Sequence, residues 1–242
     1  MNKIMLAGLL LSAGTLQAAP LVDIYAGAYT GRIALAGDLA GGSRQADLET
    51  ELGYDNGRQT GFYVGLEHGL PFLPNARLRR ADFSETATGT LNGNFDFGGE
   101  TFTGSVSSGF ELDSTDLTLY YTPLDVLVKL DVGLTARRLS AQFDMRSAGL
   151  AAQEKASATI PMLYAGAYAK LPLTGFYVTG ELNAVSFDGD KLMDGRAGIG
   201  WVSDFLLGLE LGYAQQVLDI DIDEVKADIN LGGPFLAVSL NF

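Results

Sequence analysis

The sequence contains no cysteine and a single histidine, His68. Without cysteine there is no disulfide framework, so stability must come from backbone hydrogen bonds and packing. Zinc sites are built largely from cysteine and histidine, so no zinc or other transition-metal centre is expected. General-base catalysis most often uses histidine, and for that role the chain offers one candidate.

Long apolar runs are also missing. Hydrophobic residues make up 47% of the chain and the mean hydropathy is +0.16, yet beyond residue 19 no run approaches the length of a membrane-spanning helix, which needs about 18 apolar residues or more. A closed β-barrel is the other structure that pairs every backbone polar group in hydrocarbon. The composition therefore favours a barrel.

Basic residues are few. The chain has 16 Lys and Arg against 29 Asp and Glu, a formal charge of -13. Nucleic-acid-binding domains usually carry a basic surface, so this balance argues against nucleic acid as a partner.

The first 18 residues predict a secretory signal peptide. Lys3 gives a basic start, residues 4–11 form an apolar core, and small residues lead to Ala18. The apolar run is too short for a membrane anchor. Cleavage after Ala18 avoids Pro20 at the first mature position and leaves residues 19–242 as one barrel domain; the alternative is an N-terminal core helix.

Alternation of apolar with polar or small residues predicts the strands. The clearest case is 126–137, where Val128, Leu130 and Val132 share one face and Lys129 and Asp131 the other. A strand separates the two sets, whereas a helix would scatter them. Ten such segments predict an antiparallel up-and-down barrel: 21–35, 60–70, 76–86, 115–122, 126–137, 160–171, 176–187, 194–202, 205–217 and 228–242.

Two segments depart from clean alternation. Segment 76–86 carries Arg77, Arg79 and Arg80 on both parities, so its faces are not assigned. Segment 228–242 contains Pro234, which cannot donate to a ladder, and Gly232-Gly233 would absorb it as a bulge.

The predicted connections alternate in length. Those at 69–75, 122–125, 171–175 and 202–204 are short, whereas those near 36–59, 87–114, 138–159, 188–193 and 218–227 are mostly long, polar and Gly-rich. Such barrels keep short turns on the periplasmic side and long loops outside. Both termini are therefore expected in the periplasm.

The final residues carry a resemblance. Leu236, Val238, Leu240 and Phe242 share one face, and the last residue is aromatic. This end resembles the C-terminal strand of Gram-negative outer-membrane proteins, which implies an outer-membrane location and recognition of Phe242 by the barrel-assembly machinery.

The chain also resembles an uncharacterised family of Gram-negative outer-membrane barrels marked by a Gly-Gly near the C-terminus. The matching features are Gly232-Gly233-Pro234-Phe235, Leu119-Tyr120-Tyr121 and the Leu-Pro turns at 70–71 and 171–172. This resemblance implies architecture and carries no assigned activity.

The sequence indicates no catalytic, cofactor-binding or metal-binding residue. By parity His68 lies on the lipid face beside a periplasmic turn, which favours an interfacial side chain over a catalytic base. The acidic run 219–224 lacks the EF-hand pattern, because Glu224 and Asn230 stand where Gly and Glu are required. It predicts an acidic strand extension, although its carboxylates could also bridge divalent cations to lipopolysaccharide.

Inward-facing charges are the most informative group. Lys129, Arg137, Lys170 and Arg196 oppose Glu67, Asp131, Asp194, Glu181 and Glu210 by parity. Buried charges persist only when paired, so a cross-linked lumen is expected, with inward Gly residues leaving room for Tyr rings. Ten strands are also too few for a general diffusion pore.

The segment 87–113 predicts an outward hairpin. Its aromatic residues Phe95, Phe97 and Phe102 either brace the hairpin, which is favoured, or form a binding surface.

The leading functional prediction is a non-enzymatic barrel with a structural or surface-interaction role, in contact with outer-membrane lipids and lipopolysaccharide. A narrow channel or transporter for small or hydrophobic solutes is the alternative, and an envelope-lipid enzyme is a third. No cofactor is expected.

Overall fold

A computed structural model describes residues 22–187, 190–203, 205–222 and 225–242. The predicted signal peptide and its cleavage site lie outside these residues, so that boundary stays a prediction. Among the described residues, no helix is long and apolar enough to cross a membrane.

The described residues form eleven β-strands. They are β1 (Val22–Gly41), β2 (Arg44–Asp47), β3 (Asn56–His68), β4 (Asn75–Phe97), β5 (Glu100–Asp125), β6 (Val128–Ser147), β7 (Leu150–Lys170), β8 (Phe176–Phe187), β9 (Asp190–Val202), β10 (Leu207–Ile222) and β11 (Val225–Asn241).

Ten of these strands form a closed antiparallel barrel. Sequential strands pair from β3 to β11, β1 pairs with β3, and β11 returns to β1, for example with Asn241 opposite Tyr25. The four-residue β2 pairs only with the far end of β1. The predicted ten-stranded up-and-down barrel is confirmed.

The barrel has two unlike ends. The turn end carries the short connections, the first residue of β1 and the last residue of β11, and the hairpin end carries the others. The turns at 69–74 and 171–175 lie where the sequence predicts them. The turn predicted at 122–125 is displaced, because β5 runs through Asp125 and Val126 and Leu127 make the turn.

The apolar side of the wall changes along the barrel. In the turn half, large apolar side chains point outward and are exposed, as at Leu134 (61%) and Leu211 (64%). In the hairpin half they point inward instead. There they form the apolar plug, a buried cluster of Ile33, Leu35, Ala46, Leu48, Leu52, Tyr54, Phe83, Leu91, Phe95, Phe97, Phe102, Val106, Phe110, Leu112, Leu139, Phe143, Met145, Met162, Leu192, Leu218 and Leu231.

Most of the predicted long loops are strand. The β4–β5 ladder continues to Phe97 and Glu100, and the β6–β7 ladder to Ser147 and Leu150. Only 188–189 separates β8 from β9. Apolar and polar residues still alternate in these segments, but here the apolar residues face inward. A prediction based on outward apolar residues therefore ended the strands too early.

The predicted bulge at Gly232-Gly233 is wrong. Strand β11 keeps one register against β10 through Pro234, which lies opposite Tyr213. Towards β1 the register is also unchanged, and a Cβ on Gly233 would lie 2.1 Å from the carbonyl oxygen of Arg32. The glycine therefore permits close strand approach beside a residue that cannot donate to the ladder.

Candidate functional site in the barrel lumen

Six charged side chains meet in the middle of the lumen, and we name them the arginine–carboxylate cluster. They are Arg77 and Arg79 on β4, Asp116 on β5, Arg137 on β6, Glu181 on β8 and Asp194 on β9. Alternation points each one inward. The cluster joins two groups of strands, β4 to β6 and β8 to β9. No strand of the first group pairs with a strand of the second, so these contacts cross the lumen.

Asp116 is the centre of the arginine–carboxylate cluster. Arg137 donates to its carboxylate from Nε (2.7 Å to Oδ1) and Nη2 (2.7 Å to Oδ2). Arg79 Nη2 donates to the same carboxylate at 2.8 Å. Such a two-pronged arrangement is the strong geometry for an arginine with a carboxylate.

Asp194 and Glu181 complete the cluster on the far side of the lumen. Arg79 Nη2 lies 2.9 Å from Asp194 Oδ1, and Arg137 Nη2 lies 3.4 Å from the same oxygen. Arg77 donates to Glu181. Three cations therefore face three anions, and this balance offsets the cost of burying them.

The predicted inward charges take different partners. Lys129 pairs with Glu67, which also accepts from the Tyr120 hydroxyl at 2.7 Å. Asp131 accepts from Thr122 at 2.6 Å and Glu210 accepts from Tyr177 at 3.1 Å. The predicted ion pairing is confirmed for Lys129 with Glu67, whereas among the described residues Asp131 and Glu210 accept from neutral hydroxyls and form no ion pair.

Arg196 and Lys170 have no ion pair within the described residues. The Arg196 guanidinium lies over the rings of Tyr29 and Phe235, at 4.6 and 4.3 Å from their centroids. Lys170 Nζ lies 6.0 Å from the Tyr168 ring centroid. Contact with aromatic faces stabilises both cations without neutralising them.

Three members of the arginine–carboxylate cluster were missed by the sequence analysis. Arg77 and Arg79 were left unassigned, and Asp116 was not counted among the inward charges. Arg80 is the residue that obscured the pattern, since it faces outward and contacts Asp82 at 2.6 Å. The signal that could have placed Arg77 and Arg79 inward was their alternation with the apolar residues Ala76 and Leu78.

A cavity of about 810 Å³ lies between the arginine–carboxylate cluster and the turn end. Polar groups line its wall, including Tyr25, Tyr63, Tyr164, Tyr168 and Tyr177, together with Lys170, Arg196 and Glu210. Val22, Val126, Leu206 and Phe242 lie at its mouth. Its size is that of a small-molecule site.

The inward tyrosines lie over inward glycines. A Cβ on Gly65 would fall 2.1 Å from the Tyr25 ring, and one on Gly200 would fall 2.1 Å from the Tyr177 ring. The predicted role of inward glycine, which is to leave room for tyrosine, is confirmed at these positions.

The described lumen narrows sharply beyond the arginine–carboxylate cluster. A cavity of about 30 Å³ lies beside Arg79, Asp194 and Ile33, and the apolar plug follows. Phe95 and Phe102 are fully buried there, so the prediction that the hairpin aromatics act as braces is confirmed. The segment 48–54 adds Leu48, Leu52 and Tyr54 to the plug.

His68 lies at the turn end, as alternation predicts. Its Nδ1 accepts a hydrogen bond from the Leu70 amide (3.3 Å), and its Nε2 lies 3.2 Å from the Pro74 carbonyl oxygen. These contacts brace the 69–74 turn. Within the described ranges, no three His, Asp or Glu side chains converge in a way that could hold a metal ion.

The closed wall, its outward apolar band and its charged lumen define the chain as an outer-membrane β-barrel. No protein-family model matches the sequence, and no curated protein matches it. The outer-membrane protease OmpT from Escherichia coli has a similar fold, with a TM-score of 0.59 and 9% identity over 91% of this chain and 97% of OmpT.

The translocator domain of the autotransporter NalP from Neisseria meningitidis also matches, with a TM-score of 0.43 and 10% identity over 93% of this chain and 90% of that domain. At 9% identity the likeness to OmpT is one of fold alone.

Proposed function

We propose that the chain is a non-enzymatic, non-conducting outer-membrane barrel with a structural or surface-interaction role. In this proposal the turn end and both termini face the periplasm and the hairpin end faces the medium. The short turns support this orientation, because bacterial barrels keep their short turns on the periplasmic side. Recognition of Phe242 by the barrel-assembly machinery and membership of the Gly-Gly family belong to the same proposal.

The observation that carries the proposal is the closed lumen. Arg137 and Asp116 are almost fully buried at its centre, and the apolar plug fills the hairpin half. An ion crossing the barrel would have to pass an apolar region without hydration, which is costly.

The long hairpins support the surface-interaction role in this proposal. β4–β5 and β6–β7 extend well past the outward apolar band, and the apolar plug holds them from inside. A packed β-structure presents a fixed outer surface, unlike a mobile loop. This arrangement suits contact with the medium or with neighbouring envelope components.

Single-channel recording on the refolded mature chain tests the proposal. We expect no stepwise current in a planar bilayer for the wild type. A variant with Phe95 and Phe102 both replaced by serine serves as a comparison, because it weakens the apolar plug. Stepwise conductance from the wild type at ordinary voltages would overturn the proposal.

A narrow transporter is the second candidate, and the cavity of about 810 Å³ favours it. Arg196, Lys170 and Glu210 line it, which suits a small polar solute that carries charge. Uptake of such a solute by vesicles containing the barrel, lost in the Arg196→Gln variant, would support transport over the structural role.

A protease activity like that named for OmpT is not part of the proposal. The one histidine braces a turn at the proposed periplasmic end, whereas a surface protease would act at the hairpin end. An envelope-lipid enzyme is the remaining alternative. Deletion and overexpression that change the lipid profile of the envelope would favour it over the proposed role.

A further inference from the structure

Two arginines face each other on the outside of the wall, and neither forms an ion pair with another described residue. Arg32 on β1 lies directly opposite Arg58 on β3, and both side chains are exposed. Directly opposed residues have Cβ atoms about 5 Å apart, and like charges at that distance are destabilising. Among the described residues, neither guanidinium has an ion pair or a side-chain hydrogen bond.

A like-charge pair elsewhere on the same outer face shows the contrast. Asp82 lies directly opposite Asp113, and Arg80 bridges them, with Nη2 at 2.6 Å from Asp82 and 3.2 Å from Asp113. The wall therefore supplies an internal counter-ion to that acidic pair. The arginine pair lacks an equivalent group, so an anion from outside the chain would complete it.

The position of the arginine pair along the barrel axis indicates which anion binds there. Phe62 is the last large apolar residue facing outward on β3, at 50% exposed, and Arg58 follows four residues further towards the hairpin end. At roughly 3.3 Å per residue that is about 13 Å along a tilted strand. That position is above the outward apolar band, and a long arginine side chain there can reach back into the lipid headgroup layer.

The β11 surface beside Arg32 is uncharged. The β11 residues beside Arg32 are Gly233 and Pro234. They lie between the paired positions Gly31–Phe235 and Ala34–Gly232. Tyr213 lies opposite Pro234, is 55% exposed, and has its hydroxyl 2.9 Å from where a Cβ on Gly232 would lie. An aromatic ring next to Gly232 and Pro234, neither of which carries a long side chain, suits stacking of a sugar ring.

The surface on the other side of the arginine pair, next to Arg58, is acidic. On that side a cleft of about 400 Å³ is lined by Arg58 together with Glu111, Asp82 and Asp113. Carboxylates there would repel a second phosphate. The ligand should therefore extend from the arginine pair over β1 and β11.

We propose that Arg32 and Arg58 together bind a phosphate of the phosphorylated sugar headgroup of an outer-leaflet glycolipid, lipid A, with the sugar lying over Tyr213 and Gly232. Two planar guanidinium groups can each donate two hydrogen bonds to one phosphate. Placing this site in the outer leaflet depends on the proposed orientation of the barrel. The binding itself does not, so it is tested in detergent, where orientation plays no part.

The experiment titrates the mature, delipidated barrel in detergent and counts bound lipid by native mass spectrometry. The probes are bisphosphorylated lipid A, the same glycolipid without its phosphates, phosphatidylglycerol and inorganic phosphate. We expect at least tenfold tighter binding of bisphosphorylated lipid A than of each other probe. Equal binding of the dephosphorylated glycolipid, phosphatidylglycerol or free phosphate would overturn the proposal.

The variants are Arg32→Gln with Arg58→Gln, and Arg32→Lys with Arg58→Lys. We expect the glutamine pair to lose at least tenfold in lipid A affinity, and the lysine pair to lose less. Arg146→Gln is the matched control, since Arg146 is an exposed arginine near the tip of the β6–β7 hairpin. Wild-type lipid A affinity in the glutamine pair would refute the assignment.

Thermal unfolding supplies a second measurement that a purely structural role would not reproduce. Without lipid A, the glutamine pair should unfold at the wild-type temperature or above it, because the charge repulsion is gone. With lipid A, the wild type and Arg146→Gln should gain more stability than the glutamine pair. A gain of equal size in the glutamine pair would contradict the proposal.

Discussion

At the scale of single residues, Asp116 is the group on which the lumen most depends. It accepts hydrogen bonds from both Arg79 and Arg137, and 2% of its side chain is exposed. Replacement by alanine leaves two arginines without their shared carboxylate. We expect Asp116→Ala to lower the free energy of unfolding by about 3–5 kcal/mol.

The matched control for that prediction lies three residues away on the same strand. Asp113 contacts Arg80 on the outer face, where 46% of its side chain is exposed. Exposed ion pairs contribute little, so Asp113→Ala should cost less than about 1 kcal/mol. Urea unfolding in lipid vesicles measures both variants, and equal losses would contradict the account of the cluster.

Asp47 gives a pH-dependent prediction for the segment over the hairpin end. Its carboxylate accepts from the Thr50 amide at 2.6 Å and from the Thr50 hydroxyl at 2.8 Å. These hydrogen bonds lower the pKa of Asp47 below its ordinary value of 3.8. A depressed carboxylate pKa stabilises the fold above the unfolded value, and that stabilisation is lost as the pH falls through the folded value.

Amide hydrogen exchange at Thr50, corrected for the intrinsic rate, checks this. Protection should be constant near neutral pH and should fall below pH 3.8. In Asp47→Asn the side-chain oxygen still accepts a hydrogen bond but does not titrate, so its protection should not change with pH. A wild-type profile as flat as that of the variant would refute the prediction.

At the scale of elements, the β4–β5 hairpin should depend on its buried aromatics. Phe95 and Phe102 lie opposite each other and are fully buried in the apolar plug. Replacing either with alanine should cost about 3–5 kcal/mol. Phe72 is the control, since it is 95% exposed in the 69–74 turn and its loss should change stability by about 0.5 kcal/mol or less.

The turns carry backbone strain that can be relieved. Leu173 has φ +66° and a fully exposed side chain, and a left-handed conformation is unfavourable for a bulky residue. In detergent, Leu173→Gly should raise the free energy of unfolding by up to about 1 kcal/mol. Leu171→Gly is the comparison and should be destabilising. Destabilisation by Leu173→Gly would mean that this side chain makes contacts worth more than the strain.

Alternation along the sequence predicts which face each residue takes. In the turn half it was sufficient except on β4, where Arg80 obscured the inward positions of Arg77 and Arg79. Lys129, Glu67 and Glu181 face inward as predicted, and Leu134 faces outward. Partner choice was not predictable in the same way. Arg77 pairs with Glu181, which lies 104 residues further along the chain. This pairing depends on the register of every strand between them.

Strand length was the larger error, and its cause is physical. The sequence analysis looked for apolar residues facing lipid, and these end near Phe62 on β3 and near Leu134 on β6. Beyond that level water is outside and the apolar plug is inside, so Leu139 and Phe143 alternate on the opposite parity. The change of environment, not a change of secondary structure, produces the break in the pattern.

At the scale of the whole molecule, the central claim is that one continuous wall exchanges its apolar face partway along its length. β6 is the best strand for testing this, because it runs through both halves and pairs throughout with β7. The chain has no native cysteine, so a single introduced cysteine carries the only spin label.

The measurement is nitroxide accessibility to oxygen and to a water-soluble nickel complex, scanned from residue 128 to residue 146 in vesicles. At even positions, we expect oxygen accessibility to dominate up to 134 and nickel accessibility to dominate from 138 onward. The inward positions 139, 143 and 145 should be protected from both reagents. Oxygen dominance continuing to residue 146, or nickel reaching those inward positions, would contradict the account.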